Sequence, residues 1–132
     1  KTYDWQILTL DGAPVTSSSG FPVVPAAGLS EASGGDALFL LPSYDYRHHA
    51  TVKCSQLLRA AARRYDTLVG LDTGSWLLAE AGLLDGRPAT IHYEVFEEFS
   101  EQFPDVVARR ERFIVDGNRV TSGGAMTAFE LV

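Results

Sequence analysis

An apolar run, Thr67-Leu68-Val69, breaks off at Gly70-Leu71-Asp72-Thr73-Gly74, and a helical pattern, Ser75-Trp76-Leu77-Leu78-Ala79-Glu80-Ala81, begins at once. This is the sequence form of a strand turning sharply into a helix, so the chain is committed to a sheet with a helix leaving its carboxyl edge. The middle residue of such a turn is pushed out of the backbone at the top of the sheet. Enzymes place Ser or Cys there, because the exposed side chain attacks a carbonyl while the N–H groups opening the helix stabilise the oxyanion. Here the residue is Asp72. A carboxylate attacks carbonyl carbon weakly but holds cations and hydrogen-bond donors well, so the residue type favours binding over acyl transfer. The competing reading is an ordinary helix N-cap, with Asp72 bonded to the N–H groups of the first turn.

The segments around this turn alternate between strand and helix patterns. Tyr3 to Leu10 is rich in strand formers and closes at Asp11-Gly12, and Val15 to Pro25 has the broken apolar pieces of a small edge hairpin or extended loops. Ala37-Leu38-Phe39-Leu40-Leu41, ended by Pro42, reads as a central strand buried on both faces. Its carboxyl end delivers Ser43, Tyr44, Asp45, Tyr46, Arg47, His48 and His49 to the edge where open α/β sheets bind ligands. From about Ala50 to Tyr65, Cys54, Leu57, Leu58, Ala61, Ala62 and Tyr65 recur at helical spacing.

The helix after the turn runs from about Gly74 to Ala81 and stops at Gly82, a good left-handed cap. Ala89-Thr90-Ile91 is a short strand delivering His92. A helix from about Glu94 carries Phe96, Phe99 and Phe103 on one face and ends at Pro104, and Val106-Val107-Ala108 is another strand. Phe113-Ile114-Val115 and Arg119-Val120-Thr121 flank the hairpin signal Asp116-Gly117-Asn118, and Ser122-Gly123-Gly124 opens a last helix from Ala125 to Val132. The alternation predicts an α/β flavodoxin-like three-layer sandwich, its mainly parallel sheet carrying helices on both faces.

With 132 residues, 45% of them hydrophobic, the chain is expected to form a single domain over 1–132 with a proper core. A net charge of −6 opposes binding to phosphate backbones, so DNA contact would need another segment. The single cysteine, Cys54, excludes an internal disulfide framework and suits a cytoplasmic protein. No apolar run approaches the roughly 20 residues of a membrane span. A start at Lys1 and a helical pattern only begun at Val132 suggest a domain incomplete at both ends.

Several of these segments carry a family resemblance. The turn at Gly70–Gly74, the run from Leu78 through Gly82-Leu83-Leu84-Asp85-Gly86-Arg87-Pro88 to His92, Phe103-Pro104-Asp105-Val106, and Ser122-Gly123-Gly124-Ala125-Met126-Thr127-Ala128-Phe129 resemble the amidase-like sensor domain of GlxA-type AraC-family transcription regulators. These sensors are a branch of the PfpI/ThiJ superfamily, which shares the class I glutamine amidotransferase fold. The resemblance implies that Asp72 stands where the enzymes carry a nucleophilic Cys, and that His92, 20 residues later, matches their His. The enzymes' Gly-Gly after the preceding strand corresponds to Ser43-Tyr44, a second departure from catalysis. It further implies a first strand and helix preceding Lys1, a C-terminal helix-turn-helix domain that binds DNA, and a homodimer. Asp72, Ser75 and Trp76 look most like the regulators of quaternary-amine and amino-acid catabolism.

The expected effector site therefore comprises Asp72, Thr73, Trp76 and His92, with Ser43, Tyr44 and Tyr46 from the preceding loop and Gly123 at the last helix. Asp72 beside Trp76, Tyr44 and Tyr46 would hold a cation by charge and by cation–π attraction, at ~0.5–2 kcal/mol per ring. No catalytic residue, cofactor or metal is expected. Each residue also has a plainer role. Helix aromatics usually pack inward, which weighs evenly against a ligand role for Trp76, and loop tyrosines are often packing residues. His48 and His49 are adjacent and lack a second ligand pair at metal spacing. Cys54 shares the phase of Leu57, Leu58 and Ala61 and reads as a buried apolar residue. Arg109, Arg110 and Arg112 read as a solvated face or dimer contact. The rival functions are a PfpI-like hydrolase or glyoxalase, an enzyme using Asp72 as covalent nucleophile with His92 activating water, and an assembly module with a collapsed pocket.

Overall fold

The computed structural model describes residues 4–16, 19–42 and 46–124. Its contacts divide the chain into two units, Lys1–Ser33 and Gly34–Val132. The first holds β1 (Leu8–Thr9), β2 (Val15–Thr16), β3 (Pro22–Val23) and β4 (Ala27–Gly28), with β1 parallel to β4 and β2 antiparallel to β3. The expected hairpin between Val15 and Pro25 is therefore present. The expected strand from Tyr3 to Leu10 contracts to Leu8–Thr9. Just before this ladder, Ala26 N–H still reaches Ile7 O at 2.8 Å.

The second unit contains β5 (Gly35–Leu40), α1 (Val52–Ala61), β6 (Tyr65–Gly70), α2 (Gly74–Glu80), β7 (Pro88–Ala89), α3 (Phe96–Gln102), β8 (Val107–Ala108), β9 (Phe113–Asp116) and β10 (Arg119–Ser122). Its main sheet has the order β5-β6-β10-β9, parallel from β5 through β6 to β10 and antiparallel only between β10 and β9. The β9–β10 hairpin follows its Asp-Gly-Asn signal, with Gly117 at φ 58°.

Three expectations need correction. First, β5 lies at an edge of the described four-stranded sheet, not at its centre, and its apolar residues are only half-buried. An apolar run reports that faces are covered and says nothing about which edges are paired. Second, α1 ends at Ala61, and Tyr65 opens β6. Tyr65 falls at both helical and strand phase, so periodicity alone overruns the Ala62–Arg64 turn. Third, the strand expected at Ala89–Ile91 is Pro88–Ala89, paired with β8. Thr90 leaves the ladder because its N–H bonds the Thr121 hydroxyl and its own hydroxyl bonds Glu111 O, each at 3.0 Å.

The helices end as their sequences require. Thr51 caps α1 by accepting from Cys54 N–H at 3.1 Å. At the far end of α2, Gly82 takes φ 77°, Gly82 N–H reaches Ala79 O and Leu83 N–H reaches Leu78 O, the paired bonds of a Schellman cap. The core gathers Leu68, Leu78, Leu84, Ile91 and Phe99 with Trp76 and Phe96, and each large apolar side chain so buried contributes about 1.5–3 kcal/mol. Cys54 is buried on the inner face of α1, and burial pushes its thiol above the ordinary value, which fits a packing role. The helix expected over Ala125–Val132 lies outside the described residues.

Candidate functional site

The turn between β6 and α2 is held from three sides. Leu71 N–H donates to Leu40 O at 3.1 Å, Gly74 N–H donates to Leu71 O at 2.8 Å, and His92 N–H donates to Asp72 O at 3.1 Å. The two glycines permit this closeness. A Cβ on Gly74 would stand 2.7 Å from Leu40 O, and one on Gly70 would stand 2.9 Å from Ser75 N. Asp72 takes φ 60°, the only positive φ of a non-glycine residue among the described residues. Left-handed backbone is unfavourable for a residue with a Cβ and is tolerated best by Asp and Asn.

The capping reading does not match this geometry. The cap position of α2 belongs to Thr73, and its side chain makes no capping bond. Among the described residues, buried Asp72 Oδ1 has no hydrogen-bond partner, and neither does Thr73 Oγ1. Asp72's side chain is 40% exposed, and since Oδ1 is covered that exposure lies on the rest of the carboxyl group. His92 Nε2 faces Oδ1 at 4.0 Å, within ion-pair range but too far for a hydrogen bond. His92 Nδ1 accepts from Glu94 N–H at 3.1 Å, which assigns the proton of the neutral ring to Nε2, on the side of Asp72. Tyr93 stacks on the imidazole at 4.6 Å and steadies it.

The structure thus brings together Asp72, Thr73 and His92. Trp76 is elsewhere engaged: it is 6% exposed and packs against Phe103, Tyr46 and Phe99 at ring distances of 5.0, 5.4 and 6.3 Å. Tyr46 is equally buried, and a cation already covers both rings, with Arg47 Cζ 4.9 Å from the Trp76 centroid and 5.6 Å from that of Tyr46. Ser43 and Tyr44 lie outside the described residues. Gly123 lines a cavity of about 380 Å³ with Ile91, Tyr93, Phe96 and Arg110, and Asp72, Thr73, Trp76 and His92 are not among its walls. Arg110 is paired with Glu97 and lies over Phe96. Among the described residues, no group of three or more His, Cys, Asp or Glu side chains is placed to hold a metal, and His48 and His49 are exposed.

Glu98, the partner of Arg47, is the participant that the sequence did not single out. The two form an ion pair across 51 positions, a separation with no local sequence signature.

A mainly parallel sheet whose carboxyl edge carries a strained acidic turn, with a histidine tied to it, belongs to the flavodoxin-like α/β class. Residues 1–132 match the DJ-1/PfpI family, and the chain belongs to that family. It is 41% identical over 130 residues to the HTH-type transcriptional regulator CdhR of Pseudomonas aeruginosa, covering 98% of this chain and 39% of the regulator. To the HTH-type transcriptional regulator GbdR of the same species it is 35% identical, covering 100% and 36%. To the HTH-type transcriptional regulator GlxA of Rhizobium meliloti it is 34% identical, covering 97% and 40%. The chain therefore spans about two fifths of the length of these relatives.

Among solved structures, a ThiJ/PfpI family protein from Pseudomonas syringae superposes with a TM-score of 0.81 at 25% identity, covering 95% of this chain and 52% of that one. An AraC family transcriptional regulator from Pseudomonas putida superposes at 0.73 with 28% identity, covering 97% and 69%. The flavodoxin-like fold and the likeness to GlxA-type regulators expected from the residues are both present. Among the described residues, no helix is long and apolar enough to cross a membrane.

Proposed function

We propose that residues 1–132 form one non-catalytic, ligand-sensing domain of an AraC-family transcriptional regulator, working as a cytoplasmic homodimer and reaching DNA through a separate C-terminal helix-turn-helix domain. The observation that carries this reading is the Asp72 turn: a carboxylate on strained left-handed backbone, with one oxygen buried and unbonded and the rest open. Strain and unmet hydrogen-bonding capacity persist where the surrounding structure enforces them and a function uses them. The similarity to the three regulators supports the assignment.

In this reading Asp72 occupies the position of the superfamily's nucleophilic Cys and converts a reaction centre into a binding group. Its partners are Thr73 and His92. The effector is a cationic metabolite of the quaternary-amine or amino-acid type. Neither cofactor nor metal takes part. Ligand binding biases dimer geometry, and the fused domain reads the change.

The test is a thermal-shift screen of betaines, carnitine, choline and basic amino acids on the parent and Asp72→Asn. An effector at 100 times its Kd stabilises the parent by about 2.7 kcal/mol, and Asp72→Asn loses most of that gain. Isothermal titration giving equal affinity for the two proteins removes Asp72 from the role.

A further inference from the structure

We infer that Tyr46, Trp76 and Glu98 form a receptor for the head group of an organic cation, and that Arg47 fills it until an external cation takes its place. The Tyr46 and Trp76 rings meet edge-on at 5.4 Å with an interplanar angle of 63°, making two walls of a corner. The Arg47 guanidinium lies within cation–π range of both. Its Nε donates to Tyr46 Oη at 3.1 Å, and its Nη2 pairs with Glu98 Oε2. The corner thus offers a cation two π faces, a phenol oxygen and a carboxylate.

This set shares Tyr46 and Trp76 with the cage expected around Asp72 but not its carboxylate. The corner's carboxylate comes from α3, and the seat is occupied by the chain itself. Arg47 is well matched to the seat, since the bonds from Glu98 and then Tyr46 hold its guanidinium above its ordinary pKa. Yet the latch is open to exchange. Arg47 and Glu98 are 53% and 57% exposed, and exposed ion pairs contribute little net stability. An incoming guanidinium or alkylammonium replaces each interaction it displaces, and the Arg47 side chain swings into water without leaving a buried charge behind. What changes is the link it makes between the Tyr46–His49 turn and α3. That link supplies a route from effector to domain geometry.

The experiment uses ethylguanidinium as the probe and ethylurea as its uncharged counterpart, titrated into the isotopically labelled protein and its Arg47→Ala variant. The readout is the Trp76 indole N–H resonance, assigned with Trp76→Phe. Because apparent affinity falls by the fraction of molecules whose seat is open, removing Arg47 tightens ethylguanidinium binding by at least about tenfold. Ethylurea leaves the resonance unmoved, and adding Glu98→Gln cancels the gain. Equal ethylguanidinium affinity in parent and variant, no binding to either, or equal response to ethylurea overturns the receptor. Arg47→Gln, which keeps the chain length and removes the charge, gives the same reading if Arg47→Ala does not fold.

The inference deepens the sensor reading and rests on it, and the two fail differently. Asp72-dependent binding of a metabolite together with ethylguanidinium binding indifferent to Arg47 removes the receptor and leaves the sensor. Arg47-gated binding of ethylguanidinium with no Asp72-dependent metabolite removes Asp72's role and leaves the receptor.

Discussion

Two groups of buried polar side chains flank the start of α2, and they differ in how completely they are satisfied. On one side Ser75 Oγ donates to Thr90 O at 2.7 Å, Thr90 N–H donates to Thr121 Oγ1 at 3.0 Å, and Thr90 Oγ1 donates to Glu111 O at 3.0 Å. These side chains are at most 1% exposed, and each has a partner. On the other side, Thr73 Oγ1 and Asp72 Oδ1 are buried with no hydrogen bond among the described residues. The difference separates framework from site. Unpaired polar groups in a low-dielectric interior are costly, so a chain that saturates one set and leaves its neighbour open holds the open set for something else.

Substituting within the saturated set gives the largest expected effect. Thr121→Val keeps the β-branched shape but strands the buried Thr90 N–H, which costs about 1–3 kcal/mol. Urea unfolding at constant m reads it directly. A loss of a few tenths would mean that Thr90 finds another acceptor, and the two sets would no longer differ in kind.

The strained member of the open set responds in the opposite direction. Asp72→Gly relieves left-handed backbone and removes the unbonded oxygen, and it raises stability by about 1 kcal/mol after the extra freedom of glycine in the unfolded chain is set against it. Effector binding disappears in the same variant. Gain of stability with loss of binding marks a residue kept for function, whereas loss of both would return Asp72 to the framework.

The same contrast separates what the amino-acid sequence carries locally from what it does not. The Gly70–Gly74 turn, the Asp116-Gly117-Asn118 hairpin, the Gly82 cap and the buried face of Phe96 and Phe99 are set by residues within a few positions of one another, and all are present. What was missed depends on partners far along the chain. Edge placement of β5 depends on which strands pair, the exit of Thr90 from its strand depends on Thr121 and Glu111, and the cover over Trp76 comes from Arg47 and, through it, Glu98. Residue type raised both packing and ligand roles for Trp76, and the ring packs against three aromatic neighbours. That Asp72 Oδ1 and Thr73 Oγ1 lack a hydrogen bond among the described residues had no sequence signal at all, because such a lack is a property of everything nearby.

The smallest expected effect provides the sharpest comparison. Thr73→Val is the same chemical change as Thr121→Val, made at a side chain that is also buried, 9% against 1% exposed, but whose hydroxyl has no partner among the described residues. No bond is lost and an unsatisfied hydroxyl is removed, so stability stays constant or rises by up to about 1 kcal/mol. The isosteric shape preserves the turn, so any fall in effector affinity in Thr73→Val is assigned to the hydroxyl itself. Both variants measured in one urea series test the division at its root: a loss at 121 and none at 73 follow if the hydroxyl at 121 is structural and the one at 73 is held in reserve. Equal destabilisation at the two positions would place a hidden partner at Thr73 and return the whole turn to ordinary packing.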